Sequence, residues 1–182
     1  YQPLIREALR LAKHQPKAVV MKSRKEMPAP DLGPTVLDWD LWEANSVPVD
    51  CVALPASHPL YILYTSGTTG KPKGIVRDNG GHAVALKYSM KAVYDVQEGD
   101  VFWAASDVGW VVGHSYIVYG PLLAGCTTVL YEGKPVKTPD AGAFWRVISQ
   151  HRVKVFFVAP TAIRAIRKED SQGKFIERHD IS

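Results

Sequence analysis

The chain reads as an α/β protein built on a mostly parallel sheet with alternating helices, and two observations predict this. From residue 60 onward, short runs rich in Val, Phe, Tyr and Leu at 60–65, 101–105, 126–131 and 153–158 alternate with helical patterns at about 81–94, 113–124, 140–151 and 160–168. Unbroken alternation of strand and helix is what a parallel sheet with right-handed crossovers requires. The helical periodicity is also specific. Phe144, Val147, Ile148 and His151 form an i, i+3, i+4, i+7 stripe, with Asp140 as its expected N-cap.

Before residue 60 the pattern is looser. Pro3 to Lys13 reads as a short amphipathic helix, with Leu4, Ile5, Ala8, Leu9 and Ala12 apolar at helical spacing. Residues 18–21 suggest a short strand, and Asp38-Trp39-Asp40 opens a short helix carrying Leu41 and Trp42. The rest of 22–59 is a proline-rich, irregular connection. The expected organisation is therefore residues 1–59 as helix, short strand and irregular connection, then residues 60–182 as a βα-repeating core. Pro160 suits the first turn of the last helix.

Composition narrows the function classes. With 182 residues and 46% hydrophobic content the chain can bury one sizeable core. A net charge of +4, with Lys and Arg spread along the chain, gives nucleic acid binding little support. No apolar run approaches the ~18 residues of a membrane span. The expected partners are small molecules, with neither nucleic acid nor membrane. Cys51 and Cys126 read as buried free thiols in a reducing compartment, because no C-x-x-C is present. The six histidines form no H-x-x-x-H pair and no Cys/His cluster, so no metal site is expected from protein ligands. The chain opens on Tyr1 and closes on Ile181-Ser182, which suggests a piece of something larger.

The chemistry concentrates in residues 62–74, I-L-Y-T-S-G-T-T-G-K-P-K-G. Thr65, Ser66, Gly67, Thr68, Thr69, Gly70, Lys71 and Lys73 follow directly on an apolar run. Glycines let a backbone approach closely, hydroxyls and N–H groups donate, and two lysines bring positive charge. That mixture suits a polyphosphate. A Walker A loop is excluded, since Lys71 precedes Pro72 and no two glycines have the required spacing. In open α/β sheets ligands gather beyond the carboxyl ends of strands. Three segments are expected at such ends: the loop 66–74, the stretch Ser106–Trp110, and Ala159-Pro160-Thr161.

Position by position from Ile62 to Lys73, the loop resembles the AMP-binding signature of the acyl-adenylate-forming enzymes. A-S-D-V-G-W-V-V-G-H-S-Y at 105–116, Y-G-P-L-L-A-G-C-T-T-V-L-Y-E-G at 119–133 and A-P-T-A-I-R at 159–164 narrow the resemblance to acetyl- and propionyl-CoA synthetases, more closely the propionyl type. It runs from the first helix to the end and is weakest between residues 22 and 50.

The resemblance implies the large N-terminal domain of an adenylate-forming enzyme, without its mobile C-terminal domain. The implied activity is ATP-dependent acid–thiol ligation: propionate or acetate becomes acyl-AMP, and the acyl group then passes to CoA. ATP, Mg2+ and CoA are the implied cofactors and substrates. Thr65 to Lys71 and Lys73 would contact the phosphates, Lys73 stabilising their charge, and Thr68 or Thr69 could reach the magnesium. Trp110, Val111, Val112 and Gly113 would form the acyl pocket, with Trp110 as its gate. Ala159 would lie near the adenine of CoA.

Many acetyl-specific relatives carry threonine where this chain has Val112. A fully apolar wall suits one more methylene, though such discrimination is worth only about 1–3 kcal/mol. The bland alternatives are core packing for Trp110, Val111 and Val112, close packing before Pro160 for Ala159, and a structural role for His114. Missing from the family pattern are the magnesium glutamate, the ribose aspartate, the hinge and the C-terminal lysine, so the remainder of the polypeptide would be an essential partner. An enzyme with a non-CoA acceptor and a catalytically incomplete nucleotide-binding module are the alternative readings. The implied compartment is cytoplasm, or mitochondrial matrix in a eukaryote.

Overall fold

The computed structural model describes residues 2–24, 36–66 and 70–181. The chain divides between Val52 and Ala53 into two compact units.

The first unit holds α1 (Gln2–Leu11), a parallel pair of short strands, β1 (Val19–Met21) and β2 (Val36–Asp38), and α2 (Trp39–Ala44). Asp38 caps α2, its carboxylate accepting from the Leu41 N–H at 3.1 Å, which satisfies one of the orphan donors of a helix start. Trp39 meets Trp42 edge to face one turn later. Lys22 pairs with Asp40, so a cation beyond β1 meets the acidic first turn of α2.

The second unit begins with an antiparallel hairpin, β3 (Pro59–Thr65) and β4 (Lys73–Asp78), and continues directly into α3 (Asn79–Ala92). β4 was not expected from the sequence. The hairpin also stands as its own two-stranded sheet, so β3 does not belong to the parallel sheet. Ile62, Tyr64, Ile75 and Val76 are all exposed, and without a buried face the alternation that marks a strand is blurred. Asp78 caps α3 by accepting from the Gly81 N–H at 3.0 Å.

The parallel sheet has the order β6-β5-β7, with β5 (Val101–Ala105) between β6 (Thr127–Thr128) and β7 (Val155–Val158). Successive side chains of a strand point to opposite faces, and β5 supplies the centre of two cores in this way. Phe102 and Ala104 join Met90, Val96, Ile117 and Cys126 on one side, while Trp103 joins Ala141, Phe144, Ile148 and Ile166 on the other. A strand covered on both faces reads as a continuous apolar run, which is why β5 was legible.

Helices follow the strands as the α/β pattern requires. Between β5 and β6 the chain passes through α4 (Val111–Gly113), a π-helical segment (His114–Tyr119) and α5 (Gly120–Leu123). After β6 come α6 (Ala143–His151), β7 and α7 (Pro160–Glu169). Three expectations need correction. The strand foreseen at 126–131 is reduced to Thr127–Thr128. Asp140 does not occupy the cap position of α6, which Gly142 holds. Its carboxylate instead accepts from the Gly142 N–H at 2.8 Å and pairs with Arg146 at 2.9 Å. His151 is exposed, because α6 ends there and Arg152 turns into the left-handed region at φ 49°.

Both cysteines are free, but only Cys126 is buried. Its thiol contacts the Gln97 carbonyl at 3.4 Å, and burial, then the charge of Asp100, push its pKa up. Cys51 lies exposed in a stretch without regular structure, which corrects the expectation of two buried thiols.

Candidate functional site

The Gly-, Thr- and Lys-rich segment leaves from the tip of the hairpin. Thr65 of β3 pairs with Lys73 of β4 as the last rung of an antiparallel ladder. Gly67, Thr68 and Thr69 lie outside the described residues. Thr65, Ser66, Gly70, Lys71 and Lys73 are all exposed. Gly70 adopts φ +77°, a conformation that only glycine takes without strain, although nothing crowds the place of a Cβ there. Among the described residues neither Lys71 nor Lys73 has an acidic partner. The loop thus offers two uncompensated cations beside hydroxyls and backbone donors, a set that suits an anion.

The second segment is shaped by a tight turn at the end of β5. The Asp107 carboxylate accepts from the Gly109 N–H at 2.6 Å, and the Asp107 carbonyl accepts from the Trp110 N–H at 3.1 Å. Gly113 lies against this turn. A Cβ there would sit 2.3 Å from the Asp107 oxygen and 2.5 Å from the Val108 Cα, so any side chain would force α4 away. Trp110 is 69% exposed and Val111 39% exposed. Val112 turns the other way and packs against the Met90 and Phe102 core. Of the three expected pocket side chains, two therefore present free surface and the third supports them from behind.

Ala159 follows β7 at the N-cap of α7, exposed and with no side-chain cap, and Pro160 occupies the first turn. β5 and β7 run parallel with Ala105 paired to Val158. The turn 106–110 and Ala159–Thr161 consequently emerge side by side at one end of the sheet, as expected. The loop 66–74 belongs to the separate hairpin and does not share that sheet end.

Sequence reasoning missed the residues that join hairpin to helix. Tyr61 of β3 contacts His82 of α3 and both His114 and Tyr119 of the π-helical segment, with ring centroids 5.3–6.1 Å apart. His82 is buried, and that burial, then the Arg77 cation, hold its pKa below the usual imidazole range. The signal was the pairing of histidines with tyrosines across elements, which becomes visible only once the hairpin is known.

Among the described residues no group of three His, Cys, Asp or Glu side chains gathers to hold a metal ion, and no helix is long and apolar enough to cross a membrane.

A family model described as AMP-binding enzyme matches residues 4–182. The chain belongs to the AMP-binding enzyme family. Over its whole length it is 60% identical to the uncharacterized protein PA3568 of Pseudomonas aeruginosa, covering 29% of that protein. It is 58% identical to the human mitochondrial acyl-CoA synthetase short-chain family member 3, again over the whole chain and 27% of the relative. Acetyl-coenzyme A synthetase 2 of P. aeruginosa is 51% identical over 75% of the chain and 22% of the relative. The chain thus spans less than a third of the length of the relatives it matches.

Proposed function

We propose that this chain is the phosphate-loop and acyl-pocket segment of an AMP-forming short-chain acyl-CoA synthetase. The observation that carries the reading is the hairpin tip, where Thr65 pairs with Lys73 and, among the described residues, Lys71 and Lys73 have no acidic partner. The name of the human relative that matches over the whole chain supports the same reading.

The reaction has two steps. A carboxylate oxygen attacks the α-phosphorus of MgATP, giving acyl-AMP and pyrophosphate, and the CoA thiol then displaces AMP. Charge builds on the leaving β- and γ-phosphates in the first step. Lys73, the exposed N–H groups of the loop and the Thr65 and Ser66 hydroxyls would stabilise that charge from a preset position. The described loop residues carry no carboxylate, and hard cations prefer oxygen ligands such as carboxylates. Magnesium would therefore arrive bound to phosphate oxygens, with Thr68 or Thr69 as its possible protein contact. No enzyme nucleophile is needed in either step.

The acyl chain would lie against Val111 with Trp110 as the gate, while Gly113 and Val112 fix the position of that wall. Propionate is the proposed substrate and acetate the poorer one. CoA would approach near Ala159. The host decides whether the compartment is cytoplasm or mitochondrial matrix.

The test is product analysis with the full-length protein that carries this segment, supplied with propionate, MgATP and CoA. Formation of propionyl-CoA with AMP is expected. Acyl-AMP that accumulates without transfer to CoA would instead point to a different acceptor.

A further inference from the structure

Tyr61 is the meeting point of three elements. It lies on β3, four residues before the strand ends at Thr65, and pairs with Arg77 of β4. Its ring stacks on Tyr119 with centroids 6.1 Å apart and planes 10° from parallel. It meets His114 edge-on at 5.3 Å and His82 edge-on at 5.7 Å. Its hydroxyl lies 3.3 Å from His82 Nε2, in hydrogen-bond contact. A second link closes the group, since His82 also meets Tyr119 at 6.0 Å.

The backbone of the partner segment explains how one ring reaches both of its ends. His114 and Tyr119 bound a π-helical stretch. In an α-helix, residues five apart point about 140° from each other, given 3.6 residues per turn. The wider i→i+5 turn brings the two onto one side, and such turns are frequent at functional sites. The His114 N–H donates to the Trp110 carbonyl at 3.1 Å, so the ring held by Tyr61 sits one turn from the proposed gate. His114 Nδ1 is buried with no hydrogen-bond partner among the described residues, which leaves the packing of rings to orient the imidazole.

We propose that Tyr61 is a positioning residue that couples the phosphate loop to the acyl segment. Tyr61, stacked on Tyr119 and edge-on to His114, fixes where Trp110–Gly113 stands relative to the hairpin that bears the loop. Filling one end then changes the affinity of the other. The proposal rests on the functional reading above, which makes both segments parts of one site.

Coupling of this kind is a ratio of affinities and is reciprocal. The experiment measures the dissociation constant of α,β-methylene-ATP, which cannot form acyl-AMP, with and without saturating propionate in the full-length protein. The wild-type ratio is expected to depart from one by about 5-fold or more. Tyr61→Phe keeps the stacked ring and should keep the ratio. Tyr61→Leu should bring it to one. His114→Leu should do the same, and it leaves the hairpin sequence intact, so it decides the matter if Tyr61→Leu does not fold. A purely structural Tyr61 would alter both dissociation constants together and leave the ratio unchanged. Retention of the wild-type ratio in the leucine variants overturns the proposal, as does a wild-type ratio of one. A protein that forms propionyl-CoA and gives either result loses the coupling alone. A protein that binds neither ligand overturns the functional reading beneath it.

Discussion

Thr65 and Lys73 face each other as the last pair of the β3–β4 hairpin. The backbone of Lys73 is thereby fixed by a ladder, whereas Lys71, beyond it, has no such partner among the described residues. This difference separates the two cations in their proposed roles.

Lys73→Ala should depress acyl-AMP formation by about 3 kcal/mol of transition-state stabilisation, the usual loss when one preorganised donor to developing charge is removed. Thiol transfer from preformed acyl-AMP should be far less affected, because pyrophosphate has already left. Single-turnover measurements of the two half-reactions make the comparison, and Lys71→Ala should cost less in the first of them. An equal loss in both halves would assign Lys73 to folding or domain closure.

Val111 and Val112 should respond differently to substitution. Val111→Ala opens the exposed side of the segment and should improve butyrate relative to propionate. Val112→Thr sets a hydroxyl against the Met90 and Phe102 core, so it should lower the melting temperature as well as erode the preference for propionate over acetate. One buried methylene is worth roughly 0.8 kcal/mol, which sets that preference at several-fold. The ratios of kcat/KM for the three acids test this, and ratios unmoved by either substitution would remove both valines from the pocket.

Gly113→Ala should destabilise the chain through backbone collision. The added methyl would need to occupy space 2.3 Å from the Asp107 carbonyl oxygen, which no rotamer change relieves. Overpacking of this kind costs about 1–3 kcal/mol. Chemical denaturation should show the loss, and Gly70→Ala, which meets only the conformational penalty, offers a comparison free of steric clash.

His82 should make stability depend on pH. Its folded pKa is depressed by burial and by Arg77, so its contribution is present above about 6.5, the unfolded value, and is lost as pH falls below it. Asp100, held low by its hydrogen bond from Lys154, and Asp140, held low by Arg146, act only as pH falls below about 4. Melting temperatures between pH 7.5 and 5.5 should therefore decline in the wild type and stay flatter in His82→Gln. Identical slopes would place the sensitivity elsewhere.

Much of the fold was legible because β5, α3, α6 and α7 each carry a buried side, and burial imprints a period on the sequence. Phe102, Trp103 and Ala104 formed a continuous apolar run because both faces of the strand are covered. β4 was illegible for the opposite reason. Its residues from Lys73 to Val76 are exposed, so neither alternation nor a continuous run distinguishes them from the loop they follow. The parallel pairing that places Ser106 and Ala159 at one sheet end followed from the alternation of elements. The Tyr61 cluster did not, since it depends on a hairpin register and a π turn that no local pattern announces. Trp110 and Val112 read alike in the sequence, and only the turn at Asp107–Gly109 sends one toward solvent and the other into the core.

The central claim is that the loop from Thr65 to Lys73 holds the phosphates that depart when a short-chain carboxylate attacks ATP. The most direct measurement is the exchange of labelled pyrophosphate into ATP by the full-length protein, with propionate present and CoA absent. Exchange that requires propionate and falls sharply in Lys73→Ala is the expected result. The 182-residue chain by itself should show none, because it spans less than a third of the length of the relatives it matches. Exchange that proceeds equally without a carboxylate, or that survives Lys73→Ala undiminished, would contradict the claim.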